Sequence, residues 1–206
     1  MIPDLATLET QAKARALTLL GGFQDDGQTT LLLGPDPATF WPTLQAAPDA
    51  HAPDPVDAYS TRVITAWATD LGATPSFPFG QPVHPFVTWA LKTGRCHISP
   101  VGLLVHDGQG LLVSFRGALT FDAPIDLPPP PPNPCPTCPA PCRTACPVDA
   151  LSRDAYDIPA CRAHLATPAN TCMPQGCAAR RACPLSPPRP DAQAAHHMRA
   201  FAGEGA

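Results

Sequence analysis

The feature that most constrains this chain is a concentration of cysteine toward its C-terminal end. Of the nine cysteines among 206 residues, eight lie between Cys135 and Cys183. They form a compact run and a looser group, and each ends in a Cys-Pro pair: Cys135, Cys138, Cys142 and Cys146-Pro147, then Cys161, Cys172, Cys177 and Cys183-Pro184. Cysteines without a ligand do not gather at this density by coincidence, so this segment is predicted to bind metal.

The spacing of the cysteines favours iron–sulfur clusters. Each iron of a [4Fe–4S] cubane takes one thiolate, so eight cysteines match two clusters. In two-cluster ferredoxins the last cysteine of a run ligates the other cluster. That rule predicts one cluster at Cys135, Cys138, Cys142 and Cys183, and another at Cys146, Cys161, Cys172 and Cys177. The gap after Cys138 is one residue longer than in bacterial ferredoxins, and the second group matches no common ferredoxin run. One cluster is therefore supported more strongly than two.

Zinc is the alternative metal. Tetrahedral zinc sites also use cysteine pairs separated by two to four residues, so eight cysteines could bind two zinc ions. The four-cysteine run and the paired Cys-Pro endings favour iron–sulfur binding over zinc. Disulfides are favoured less than either metal, because the N-terminus lacks the basic segment and apolar run of a secretory signal. We therefore expect a cytoplasmic protein with reduced thiols.

The composition argues against nucleic acid and membranes as partners, and it suits a bacterial source. Thirty prolines and only 15% charged residues suit a GC-rich bacterial genome. The net charge of −4 argues against a nucleic-acid partner. The longest apolar stretches are far shorter than the roughly 18 residues of a membrane span, so no membrane association is expected. Residues 128–206 carry a net charge of +2, against −6 for residues 1–127, which would partly compensate anionic clusters.

A proline run marks the predicted domain boundary. Pro128 to Pro132, followed by Asn133-Pro134, favours an extended and semi-rigid polyproline II segment. We predict an α+β protein with four parts. These are an α+β domain over 1–127, a proline-rich linker over 128–134, a ferredoxin-like [4Fe–4S] domain with little regular structure over 135–190 and a C-terminal tail over 191–206.

Hydrophobic periodicity and turn residues predict the individual elements. Helices are predicted over 4–19, from a cap at Ser60, over Phe86–Leu91 and over Asp191–Phe201. Thr29–Leu33 reads as a buried strand. Val101–Val105 and Gly110–Phe115 read as a hairpin, because His106-Asp107-Gly108-Gln109 separates them.

The cysteine segment resembles a known family. Cys135–Pro147, the isolated Cys161 and the ending Gly176-Cys177…Cys183-Pro184 are similar to the ferredoxin-like module of epoxyqueuosine reductase and related corrinoid-associated iron–sulfur proteins. Ser99-Pro100-Val101-Gly102 and Arg116-Gly117-Ala118-Leu119 look like the part of that family just before the module.

The resemblance implies a nitroreductase-like, cobalamin-binding domain, here a remnant, followed by two [4Fe–4S] clusters. In the family these clusters feed electrons to the corrinoid during tRNA modification. The family has a middle cysteine where Ala179 and Arg180 stand here, so Cys172 would replace that ligand. No residue takes the place of the family's catalytic carboxylate. Asp107 lies in a predicted turn, and catalytic residues are therefore not assigned.

Three functional hypotheses follow from these patterns. The first is a cytoplasmic electron-transfer protein with one or two [4Fe–4S] clusters and a redox partner protein. The second is an oxidoreductase, a shortened corrinoid-dependent enzyme with cobalamin on the N-terminal domain. The third is a zinc-stabilised interaction protein. We favour a protein that is not itself an enzyme. We also predict that Cys96 is a buried thiol rather than a ninth ligand, and that Arg180-Arg181 is a solvated pair that offsets cluster charge rather than a docking site for an acidic partner.

Overall fold

A computed structural model describes residues 2–203 of the chain. It confirms the α+β class, because helices occur together with antiparallel sheets. The strands of the described residues are β1 Leu17–Asp25, β2 Gln28–Pro35, β3 Thr74–Ser76, β4 Cys96–Ile98, β5 Leu104–His106 and β6 Gly117–Phe121. The α-helices are α1 Leu5–Lys13, α2 Phe40–Ala46, α3 Pro55–Leu71, α4 Phe86–Lys92, α5 Ile158–Leu165, α6 Cys172–Gln175, α7 Ala178–Arg181 and α8 Asp191–Ala202.

The chain divides into two compact units that are not contiguous in sequence. The first unit holds the chain up to Arg95 together with Ser114–Pro131. The second holds Cys96–Val113 and the chain from Pro132 onward. The chain passes from the first unit to the second for the last time between Pro131 and Pro132, which lies inside the predicted linker, 128–134. The segment 96–113, predicted as part of the N-terminal domain, belongs instead to the unit that contains the eight clustered cysteines.

A four-stranded antiparallel sheet organises the first unit, in the order β1-β2-β6-β3. The strand predicted at Thr29–Leu33 is confirmed as the middle of β2. Strands β1 and β2 form a hairpin whose two loop residues, Asp26 and Gly27, have φ of 49° and 79°. Positive φ at both loop positions is what a tight hairpin turn requires, and Asp-Gly supplies it at low cost.

The first helix is shorter than its periodicity predicts. It begins at Leu5, where the Asp4 side chain accepts a hydrogen bond from Thr7 N at 2.8 Å, and it ends at Lys13 rather than residue 19. Ala16 then has a φ of 53°, which a right-handed helix does not allow, and the chain enters β1. Gly22 lies at an irregularity of the β1–β2 register.

Helix α3 supplies most of the helical face packed on the sheet. It begins at Pro55 rather than at the predicted cap Ser60, because proline suits the first turn of a helix. Gly72 ends it in the left-handed conformation. Ile64 and Trp67 are almost fully buried, and the Trp67 Nε1–H donates to Gln11 Oε1 at 2.9 Å. The predicted helix over Phe86–Leu91 is confirmed as α4.

The second unit has little regular structure, as predicted for the cysteine segment. Its only sheet within the described residues is the hairpin of β4 and β5, which pairs Cys96 with His106. The predicted hairpin of Val101–Val105 with Gly110–Phe115 is therefore wrong in its pairing. Strand β5 pairs with β4, which precedes it in the chain, and not with residues 110–115. Gly110 only bridges back to His106, and the chain beyond it enters β6 of the first unit.

Packing explains why 96–113 belongs to the second unit. Val101, Val105 and Leu111 form an apolar cluster with Cys142. The Arg180 Nη1 donates to the Leu111 carbonyl oxygen at 3.2 Å. The segment 96–113 therefore supplies the buried aliphatic side chains that surround Cys142.

The C-terminal helix is confirmed as α8, and the last three residues of the predicted tail lie outside the described residues. Among residues 2–203, no helix combines the length and apolar character needed to cross a membrane.

Candidate metal centre

Four of the predicted ligands, which we call the first set, lie on turns of the second unit: Cys135, Cys138, Cys142 and Cys183. The Cys138 N–H donates to the Cys135 carbonyl oxygen at 3.1 Å, so these two residues share a tight turn. Cys142 occupies a 3₁₀ turn, Pro141–Arg143, and is 6% exposed. Cys135 and Cys183 pack with Cys142 against the apolar hairpin cluster. Short turns thus bring thiols that are distant in sequence to one place.

Electrostatic effects within the first set show that its thiols are neighbours. Burial raises the pKa of Cys135, and the nearby thiols of Cys183, Cys138 and Cys142 raise it further. Burial likewise raises the pKa of Cys142, followed by the influence of Cys183 and Cys138. Without metal, Cys135 and Cys142 therefore favour the neutral thiol. A bound metal ion reverses that preference, because a coordinating thiol is deprotonated.

The other four predicted ligands, the second set, line one cavity of about 60 Å³: Cys146, Cys161, Cys172 and Cys177. A single water needs roughly 10–15 Å³, so the cavity has room for more than one water. Cys161 lies on α5, which the Asp157 side chain caps, while Cys172 opens α6 and Cys177 precedes α7.

The second set is buried among apolar side chains of its own. Cys172 is 6% exposed and packs with Leu165 and Met198. Burial raises the pKa of Cys172, and the thiols of Cys177 and Cys146 act in the same direction. A hydrogen bond from the Ala178 backbone and the charge of Arg181 oppose that rise. The thiols that raise the pKa of Cys172 thus belong to the same set as Cys172.

Several hydrogen bonds end on the sulfur atoms. The Ala140 N–H donates to Cys138 Sγ at 3.4 Å in the first set. In the second set, the Ala150 N–H donates to Cys146 Sγ at 3.3 Å and the Tyr156 hydroxyl to Cys161 Sγ at 3.5 Å. Donors of this kind orient metal ligands and tune the metal they hold.

The cysteines that lie together in the structure are the same two groups of four that the ferredoxin rule predicts. Cys172 lies in the group that contains Cys161 and Cys177. That these thiols bind a cluster stays a prediction. Within the described residues, no three histidine, cysteine, aspartate or glutamate side chains are arranged to hold one metal ion. The chemistry of the donors fits a cubane, because each set offers four thiols and nothing else is required of the protein.

Other residues singled out in the sequence are placed as follows. Cys96 is 1% exposed in β4, which confirms a buried thiol. Arg180 is half-buried and lines the cavity of the second set, while Arg181 is exposed and its Nε donates to the Gly176 carbonyl oxygen at 3.2 Å. Sequence reasoning missed Tyr156, although its position five residues before Cys161 is a signal that could have been followed.

Comparison with known proteins identifies no relative, since no protein family, curated protein or solved structure matches the chain. The resemblance to the module of epoxyqueuosine reductase and the expectation of cobalamin binding therefore stay predictions.

Proposed function

We propose that this chain is an iron–sulfur electron-transfer protein that binds two [4Fe–4S] clusters. The observation that carries the proposal is the division of eight cysteines into two separate groups of four. The first set would hold one cluster and the second set the other. Four thiols per group match the one thiolate that each iron of a cubane takes.

The surroundings of the cysteines suit such a role. A bound [4Fe–4S] cluster supplies one-electron chemistry, at a potential set by hydrogen bonds to sulfur, charge and solvent exposure. The residues of this chain supply those conditions. Apolar side chains such as Val101 and Met198 keep water from the thiols, and backbone N–H groups point at sulfur. Arg181 and Arg143 place positive charge near Cys172 and Cys142, respectively.

Metal analysis of protein purified without oxygen tests the proposal. We expect a brown protein with broad absorption near 400 nm, about eight irons per chain and an equal amount of acid-labile sulfide. A colourless protein with stoichiometric zinc and no sulfide would contradict it and support the zinc hypothesis. About four irons per chain would leave one cluster and refute the second.

A pair of cysteine variants tests the assignment of ligands. Cys172→Ala removes a ligand of the second set, so the iron content should fall to about half. Cys96→Ala is the matched control, because Cys96 is equally buried in the same unit but lies outside both sets. It should keep the full iron content. Equal iron in the two variants would show that Cys172 is not a ligand.

A further inference from the structure

Tyr156 is placed to act on the second set through a single contact. Its hydroxyl donates to Cys161 Sγ at 3.5 Å, within the range of hydrogen bonds to sulfur. Both residues are fixed by local structure. The Tyr156 backbone bridges to Leu151, and the Asp157 side chain accepts from Ala160 N at 2.9 Å to start the helix that carries Cys161. The phenol therefore approaches sulfur from an ordered position.

The ring of Tyr156 is held by the C-terminal helix. It stacks on Phe201 with ring centroids 5.9 Å apart and an angle of 3° between the planes. The Arg162 guanidinium lies 5.7 Å from the Phe201 ring centroid, and its Nη2 donates to the Phe201 carbonyl oxygen at 3.2 Å. Stacking and cation–π contacts stabilise such an arrangement. Helix α8 thus orients the tyrosine hydroxyl toward Cys161.

We infer that Tyr156 is a positioning residue that raises the reduction potential of the cluster held by the second set. The inference rests on the proposed function. Reduction adds negative charge, part of which the thiolate sulfurs carry. A hydrogen-bond donor stabilises that charge more in the reduced state than in the oxidised state. Hydrogen bonds to sulfur are among the features that set the potential of iron–sulfur clusters.

The first set differs in the kind of donor that it receives. The hydrogen bond to Cys138 Sγ comes from the backbone N–H of Ala140, and the second set has a comparable backbone bond from Ala150. Tyr156 adds a side-chain hydroxyl to the second set alone among the hydrogen bonds described here. The second cluster should therefore have the higher potential and be reduced first.

Tyr156→Phe tests the inference, because it removes only the hydroxyl and keeps the ring that stacks on Phe201. In a redox titration followed by electron paramagnetic resonance, we expect two midpoint potentials in the parent protein. The higher one should fall in the variant, the lower one should stay, and the iron content should be unchanged. The shift should be at most about tenfold in the reduction equilibrium, because only the difference in hydrogen-bond strength between the two oxidation states contributes, and tenfold is about 59 mV for a one-electron couple.

Three further variants make the result specific. Tyr59→Phe removes the hydroxyl of the other tyrosine, which donates to the Arg15 carbonyl oxygen in the first unit, and should leave both potentials unchanged. Phe201→Leu keeps the Tyr156 hydroxyl but removes the stacked ring. It should lower the same potential by less. Cys161→Ser identifies the signal of the second cluster, because it alters a ligand of that cluster alone.

The outcomes separate this inference from the proposed function. A parent protein without iron would overturn both. Full iron with unchanged potentials in Tyr156→Phe would overturn the role of Tyr156 and leave the proposed function intact. A shift of the first cluster instead of the second, or loss of iron in Tyr156→Phe, would also overturn it, since the residue would then act through the fold and not through Cys161.

Discussion

The two units of this protein differ in the residues that form their interiors. The first unit packs a four-stranded sheet against helices, with a cluster of fifteen buried hydrophobic residues that includes Phe40, Trp67 and Phe121. The second unit has one two-stranded sheet and short helices. Its apolar clusters are small, and each includes a buried cysteine, Cys142 in one and Cys172 in the other.

This difference indicates which interactions stabilise each unit, apolar burial or metal binding. Burial of apolar area is the main favourable contribution to folding, so we expect the large apolar cluster of the first unit to stabilise it without a ligand. Small units with a limited core usually depend on disulfides or a structural metal. Cysteines take positions in the second unit that larger apolar side chains would otherwise fill. We therefore expect metal binding and folding to be coupled in the second unit alone.

Removal of the clusters should have the largest effect. Treatment of the full chain with oxidant and chelator, followed by a reductant to keep the thiols free, should expose residues 135–203 to hydrogen exchange. Structural zinc contributes on the order of 10 kcal/mol to the folding of small domains, and a cluster bound by four thiolates should act on a similar scale. Peptides from β1, β2 and β6 should keep their protection. Mass spectrometry distinguishes the regions within one sample.

Equal protection of both units before and after cluster removal would contradict the comparison. Protein treated with chelator alone, which should retain its clusters, is the control for nonspecific effects of the reagent.

Phe121→Ala tests how much apolar burial stabilises the first unit. Phe121 is 1% exposed on β6 in the first unit, so its truncation leaves a cavity and should cost about 3–5 kcal/mol of unfolding free energy. Denaturant titration measures the loss. Iron per chain should be unchanged in buffer. Val83→Ala, at a side chain that is 79% exposed, should have almost no effect. Loss of iron in Phe121→Ala would show that the units depend on one another.

Gly110→Ala should have an intermediate effect, confined to the second unit. Gly110 has a φ of 54°, and a Cβ there would lie 2.5 Å from the backbone nitrogen of Ser186, three residues after Cys183. The strain of this backbone conformation alone costs about 1–2 kcal/mol in a residue with a side chain. We expect iron to be lost faster from the variant during treatment with oxidant and chelator.

Gly108→Ala is the matched control, because a Cβ there meets nothing closer than 3.8 Å, in the ring of His106. Equal rates of iron loss in the two alanine variants would mean that the contact between Gly110 and the Ser186 segment does not support the first set.

The sequence predicted the parts of this fold that local rules determine. The strand at β2 and helices α4 and α8 follow from periodicity and turn residues alone. The extent of α1 and the pairing of β4 with β5 do not. Leu17 and Leu19 fit a helical face as well as a strand, and only pairing with β2 decides between them.

For the candidate site, chemistry was easier to predict than surroundings. The eight cysteines and their division into two groups follow from ligand number and from the ferredoxin rule. The hairpin that packs on Cys142 could not be predicted, because no spacing links Val101 and Val105 to a cysteine about forty residues later. The contact of Tyr156 with Cys161 depends on stacking against Phe201, which is also a tertiary feature.

The smallest expected effect comes from the charged surface of the first unit. The Arg62 guanidinium donates two hydrogen bonds to Asp49 Oδ2 and one to Oδ1. Those hydrogen bonds lower the pKa of Asp49 below its usual range. Asp49→Asn should therefore reduce the unfolding free energy at neutral pH, but by less than about 1 kcal/mol, because the pair lies at the surface, with the Arg62 side chain half exposed, and is screened by salt.

The pH dependence of that small effect follows from the direction of the shift. A carboxylate whose pKa is lowered by folding stabilises the fold above its unfolded pKa of about 3.9. That contribution is lost as the pH falls through the lower pKa of the folded state. Parent and variant should thus differ in denaturant titrations at neutral pH and converge in acid. Asp126→Asn, which removes the charge of an exposed carboxylate of the same unit, is the control. A loss of several kcal/mol at neutral pH, or a difference that persists in acid, would mean that charge and not apolar burial stabilises the first unit.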